Sequence, residues 1–411
     1  MDSRAGTGTS STVVAGTGTT SVPGATLRWL EGELVQWQAD GRLDAETAAA
    51  IRGRYTASRR TSLGRLMLLL GACFLGVGVL WLVAANLDEL PPGVRFVTVV
   101  AVWLACVVAA ELLAARPART ALHGVRIGAA RLLAAVTVGA VVFQAAQSLQ
   151  VPAYEPRLLG AWALAALAYG YATAGVSPLL VGVVTGIGWL VWAVAERSES
   201  PGAAAVALLL SAVLAAAAAV AHTARGPRAF AGPWRAVTAA LALAGLFVTA
   251  LPGVVRAGTA LPVELVVVGV VGVLAAAAAA TVGDPTGRRE LAVAVAVVPL
   301  GWLLLQWSPP DRPDGTLTGE GLLRAVAALS VYVLVAVWFA ALGVLRDADR
   351  LTQLATGALV LFTVVQSFSV FSTVLSGAAL FLVLGVVLVA TGWLVGQGRR
   401  RLVADVREAG A

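Results

Sequence analysis

The feature that most constrains this chain is a series of apolar runs, each about 20 residues long, separated by short segments that carry the arginines. A run of that length matches the ~30 Å hydrocarbon thickness of a bilayer when it is helical. Lipid also forces the helical choice, because every backbone polar group must be satisfied within the segment itself. Only 12% of the residues are charged, against about a quarter in a water-soluble domain. The expected fold is therefore all-α: a polytopic transmembrane helix bundle of about twelve spans (ten to twelve), with a small N-terminal cytoplasmic helical hairpin.

The spans read as 66–86, 94–115, 128–149, 158–174, 177–195, 202–222, 234–251, 262–282, 291–307, 322–345, 352–371 and 375–396. The stretch 158–195 is broken only by "TAGVSP". As one helix it would be nearly ~60 Å long, too long for a single crossing, so two short spans are expected there. The net charge of +7 comes entirely from arginine on the basic side, with no lysine. Arg59, Arg60 and Arg65 precede the first span. Arg116, Arg119 and Arg126 follow the second, Arg225, Arg228 and Arg235 the sixth, Arg288 and Arg289 the eighth, and Arg346 and Arg350 the tenth. The tail holds Arg399, Arg400 and Arg401, while the alternate loops hold single arginines such as Arg95, Arg157, Arg197 and Arg256. That alternation predicts a bacterial cytoplasmic (inner) membrane protein with both termini in the cytoplasm. Arginines scattered singly in this way orient a chain in lipid and do not form a nucleic-acid footprint, so no nucleic-acid partner is expected.

The soluble part is short. Residues 1–25 are Gly/Thr/Ser-rich, with "AGTGTSSTVV" followed by "AGTGTT", and such sequence has little to bury and is expected to be disordered. Residues 26–57 read as the hairpin. Leu27, Leu30, Leu34 and Trp37 form one stripe, Gly41 supplies a turn, Asp44 caps the second helix, and Leu43, Ala48, Ile51 and Tyr55 form its apolar side. A unit of about 30 residues is marginal by itself. It is expected to lean on the membrane face, on a cytoplasmic protein partner or on a second copy. Residues 63–397 form the multi-span domain, and 398–411 an Arg-rich cytoplasmic tail.

Chemistry-bearing residues are sparse. Cys73 and Cys106 fall inside spans and read as small buried thiols. His123 and His222 fall in loops at span ends, with no metal-ligand spacing around them. No cofactor and no metal is expected. Glu111 and Glu264 lie near span ends, where a carboxylate reaches the headgroups. No nucleophile–base arrangement stands out, and no enzyme is expected.

Two polar faces remain. In span 3, Gln144, Gln147 and Ser148 stand at i, i+3 and i+4. In span 11, Thr363, Gln366 and Ser367 repeat that spacing at similar depth, and aligning them also pairs Phe143 with Phe362. They are either two sets of interhelical hydrogen-bonding groups worth on the order of 1 kcal/mol each, or the walls of one vestibule. The outer loop "NLDELPPG" adds a third polar group: Asn86, Asp88 and Glu89.

Three segments carry a family resemblance: "WQADGRLDAETAAAIRGRY", "GVGVLWLVAANLDELPPGVR" and "QSLQVPAYEPRLLGAWALAALAYGYATA". They are similar to the Trp-helix, Gly-turn and Tyr-ended hairpin, the Ala-Asn-Trp-Asp span end and the Gly-Gln-Ile-Tyr motif of the predicted membrane proteins grouped as DUF2157. The likeness spans about residues 27–195. Leu87 stands where the family tends to have Trp, and Ala146, Ser148 and Leu149 replace residues around Gln147. Asn86, Asp88 and Gln147 are the motif residues retained. The resemblance implies a membrane fold and no particular activity. Three functions are open: a small-molecule or lipid-like permease or channel with a site between spans 3 and 11, a regulatory or scaffolding protein acting through residues 26–57, and an intramembrane enzyme on a lipid-linked substrate near Asp88.

Overall fold

A computed structural model describes residues 20–22, 24–57, 91–117, 123–152, 154–198, 200–251, 262–310 and 318–371, with Val254 and a set of positions between 67 and 78. The spans expected at 66–86 and 375–396 fall largely or wholly outside those residues. The chain divides into two compact units, residues 1–68 and 69–411.

In the first unit, α1 (Gly24–Ala39) and α2 (Ala45–Gly53) are joined by a turn in which Gly41 takes φ +69°. Leu34 and Ala48 are its buried apolar residues. Asp44 caps α2 by accepting from the Thr47 N–H at 2.6 Å, which holds its carboxyl below the usual range. Arg52 Nε donates to Glu31 Oε1 at 3.0 Å across the two helices. Two elements depart from the sequence expectation. Strands β1 (Thr20–Val22) and β2 (Tyr55–Ala57) pair in parallel, Thr20 opposite Tyr55. A strand therefore lies inside the Gly/Thr/Ser stretch, and Tyr55 belongs to a strand and not to α2. A Thr-Ser-Val stretch beside Tyr-Thr-Ala satisfies strand preferences that helical periodicity does not register.

The second unit is helical throughout its described residues: α3 (Pro92–Ala115), α4 (His123–Ser148), α5 (Arg157–Thr173), α6 (Val176–Ser198), α7 (Pro201–Ala224), α8 (Ala231–Ala250), α9 (Val263–Val282), α10 (Pro285–Gln306), α11 (Gly319–Leu345) and α12 (Asp349–Phe371). Eight described helices are long and apolar enough to cross a membrane. The α5–α6 break falls at Ala174, whose φ of +48° lets the Gly175 N–H reach back to the Gly170 carbonyl at 2.9 Å. His123 and His222 sit within the ends of α4 and α7, not in loops, because both helices run past their apolar windows.

Alanine-rich α7 is the centre. Of its most apolar 18 residues 72% are buried, against 11% in α3. It packs on α6, α8, α9 and α10. Small residues allow this: Leu209 of α7 fills the space that side chains at Gly245 and Gly301 would need. On the far side, Tyr332 of α11 stacks on Phe362 of α12 at 3.7 Å and donates its hydroxyl to the Ala358 carbonyl.

Candidate functional site

The two polar faces are set against different helices. Helix α4 packs on α3, α5 and α6, whereas α12 packs on α11 and α8. On α4, Gln144 is buried at 4% exposure, while Gln147 and Ser148 are exposed. The Ser148 hydroxyl donates to the Gln144 backbone carbonyl at 2.9 Å. On α12, Thr363 and Gln366 are buried, and the Thr363 hydroxyl donates to the Leu359 carbonyl at 2.8 Å. The hydroxyls are thus spent on their own helices. The Ser367 side chain, Asn86, Asp88, Glu89 and Cys73 lie outside the described residues. Cys106 is half-buried with a free thiol.

The cavity lies elsewhere. A groove of about 590 Å³ runs between α5, α6, α7, α8 and α9. Gly160, Leu164, Leu167, Gly186, Leu214 and Leu241 are among its walls. Leu164 is a lining residue yet 71% exposed, so the groove opens on the flank of the bundle. Its polar groups are few. Ser211 donates to the Ala207 carbonyl of its own helix at 2.7 Å. Trp234 lines the groove with its indole N–H buried, and the nearby Tyr171 hydroxyl does not meet hydrogen-bond geometry with it. Arg157, at the start of α5, is the one charged lining residue.

The helices α5 and α6 show why the groove exists. A Cβ on Gly182 would lie 2.8 Å from the Leu167 backbone N, so Gly182 is where the two backbones meet. One turn on, a Cβ on Gly186 would touch only the Ala163 Cβ at an ordinary 3.5 Å. The same small-residue pair thus does two jobs: Gly182 closes the helices and Gly186 leaves the space open. Gly392 and Gly396, which have the same spacing in the sequence, lie outside the described residues.

Charges collect at the two ends of the bundle. Arg131 of α4 grips Glu111 of α3 with two bonds of 2.9 and 2.7 Å and donates to the Thr173 carbonyl at 3.0 Å. Tyr169 of α5 donates to the same Glu111 at 2.8 Å. The carboxylate that looked free to reach headgroups is tied to two neighbouring helices instead. A second network involves Glu290 of α10, whose side chain is 4% exposed. Arg235 of α8 donates to it at 2.9 Å and Arg346, just past α11, at 2.8 Å. Arg235 also donates to the Thr223 hydroxyl at 2.7 Å. Arg346 holds Asp284 through two further bonds of 3.0 and 2.9 Å, which keeps that carboxyl below the usual carboxylate range. At the opposite end Arg197 pairs with Glu264, and buried Arg324 donates to the carbonyls of Leu304 and Thr249, in the last turns of α10 and α8. Those two helix C-termini carry partial negative charge and serve as its counterion. Among the described residues no group of three or more metal-ligating side chains forms.

Residues 35–179 match the family DUF2157, described as "Predicted membrane protein". No curated protein and no solved structure matches the chain. The DUF2157 segment takes in α3, α4, α5 and the first residues of α6. Its Trp162 packs over Gly139 and donates to the Ala135 carbonyl at 2.8 Å, so the tryptophan of the third motif is an α4–α5 fastening. Sequence reasoning missed Glu290, because the apolar window starts one residue later. The Asp-Pro pair at 284–285 was the available signal: Asp284 caps α10 at the Gly287 N–H at 2.8 Å, which places Glu290 inside the helix.

Proposed function

We propose that this chain is a permease for a lipid-like amphiphile, with twelve spans in a bacterial inner membrane, both termini cytoplasmic and α1–α2 as a cytoplasmic hairpin. The observation that carries the reading is the apolar groove open at Leu164. It falls in the 300–1,000 Å³ range of small-molecule sites, and it faces the phase where lipid-like molecules dissolve. The site moves from the pair of glutamine faces to the α5–α6 flank. Eight described helices have the length and apolarity to cross; the proposed count of twelve adds α5, α12 and the apolar runs at 66–86 and 375–396. The reading is of transport through this groove.

Reconstituted liposomes containing a fluorescent nitrobenzoxadiazole phospholipid test it. The protein is expected to speed the transfer of the probe between leaflets, read by dithionite quenching, and Gly186→Leu to slow that transfer several-fold. Rates equal to protein-free liposomes overturn it. A second reading, regulatory or scaffolding, draws on the compact first unit, where Val35 stays 65% exposed beside buried Leu34. It leaves an apolar contact for a cytoplasmic protein or a second copy.

A further inference from the structure

We infer that the groove holds one acyl chain of an anionic phospholipid, with the headgroup phosphate at Arg157; this rests on the groove being the working site proposed above. The groove walls limit what can lie between them. A polar solute would bring groups needing partners into a space that offers, beyond Arg157 at its end, only the Trp234 indole N–H and one serine already donating to its own helix. Leaving them unpaired costs several kcal/mol in an apolar medium. A hydrocarbon chain has no such groups.

Depth comes next. The wall formed by α5 runs from Arg157 to Leu167, ten residues at ~1.5 Å each, or about 15 Å. That is about half of the ~30 Å hydrocarbon core, the reach of one leaflet. The flank opening at Leu164 gives sideways entry from lipid, which a chain lying parallel to the helices requires.

Charge then selects the headgroup. Arg157 marks one end of the groove, and its side chain is largely exposed. Its neighbour Glu155, at 3.4 Å, is also partly exposed, and such a pair is worth little. A phosphate offers the guanidinium a stronger, two-pronged acceptor. The arginine alternation puts this end at the outer leaflet.

The test uses the full chain in nanodiscs of phosphatidylethanolamine, with probes of phosphatidylglycerol or phosphatidylcholine carrying a diazirine in the acyl chain. After photolysis, the phosphatidylglycerol label is expected on α5 and α6 between residues 160 and 190. Gly186→Leu should reduce it several-fold, and so should Leu164→Trp, which fills the groove from the other wall should the first variant fold poorly. Arg157→Gln should lower the ratio of phosphatidylglycerol to phosphatidylcholine labelling several-fold. Labelling confined to other helices overturns the inference. So does an equal ratio for both headgroups that Arg157→Gln leaves unmoved. If the chain moves lipid between leaflets with no dependence on Arg157, the inference falls and the permease reading stands. If the phosphatidylglycerol label sits in the groove but no lipid moves, the permease reading falls and the lipid site stands.

Discussion

Glu290 sits between two arginines with almost no exposed surface, so its charge is worth more to the fold than any ion pair in the first unit. Replacing one member of a buried ion pair costs up to about 3–5 kcal/mol, and here Arg235 would keep only the Thr223 hydroxyl while Arg346 kept Asp284. Glu290→Leu is therefore expected to lower the thermal unfolding midpoint in detergent markedly. Removal of the exposed Arg42–Asp40 pair at 3.9 Å should shift it little. Asp284 adds a pH dependence. Its folded pKa is depressed by Arg346, so its contribution is fully present above the unfolded value near ~4 and lost as pH falls through the lower folded value. Stability should fall below about pH 4, and by less in Asp284→Asn. None of this was legible as an interaction. The arginines are visible in the sequence, but a charge count says nothing of partners 55 or 56 residues away.

At the scale of the elements, most described helix ends were legible to within a turn, because lipid imposes both length and apolarity; the starts of α4 and α10 were not, lying at His123 and Pro285 ahead of their apolar windows. The first strand was not, being three residues long and embedded in low-complexity sequence. The α5–α6 pair shows the boundary well. Its break was readable from "TAGVSP", yet the residue that takes the left-handed conformation is Ala174, with Gly175 following it. Its two glycines look alike in sequence and differ in space. Gly182→Val would drive a side chain into the Leu167 backbone, and overpacking of this kind costs about 1–3 kcal/mol. Gly186→Ala adds one methyl at ordinary contact distance. The expected result is a lowered unfolding midpoint for Gly182→Val and one close to the parent for Gly186→Ala. Equal effects would mean that the backbones do not meet at Gly182. The groove itself could not be read from the chain, since an apolar wall and an apolar core use the same residues.

For the whole molecule, the ionic contacts fix which helix ends lie together. Thr223, Arg235, Glu290 and Arg346 meet at one end, and Arg197 meets Glu264 at the other. The described helices α6 to α11 therefore alternate in direction. The first end also has the exposed arginines Arg225, Arg228, Arg288 and Arg289, while the second tolerates buried Arg324 only by surrounding it with helix-terminal carbonyls. Cationic segments are retained on the cytoplasmic face, so the Glu290 end should face the cytoplasm and the Arg157 end the outside. In a chain with Cys73 and Cys106 replaced by serine, Tyr154→Cys and Arg225→Cys place single thiols at exposed positions on opposite ends. A membrane-impermeant maleimide added to intact cells should label Tyr154→Cys and reach Arg225→Cys only after the membrane is opened. The reverse pattern would invert the whole second unit, because the salt links do not allow one helix to turn over without its neighbours. It would also carry Arg157, and with it the groove's charged end, to the cytoplasmic leaflet.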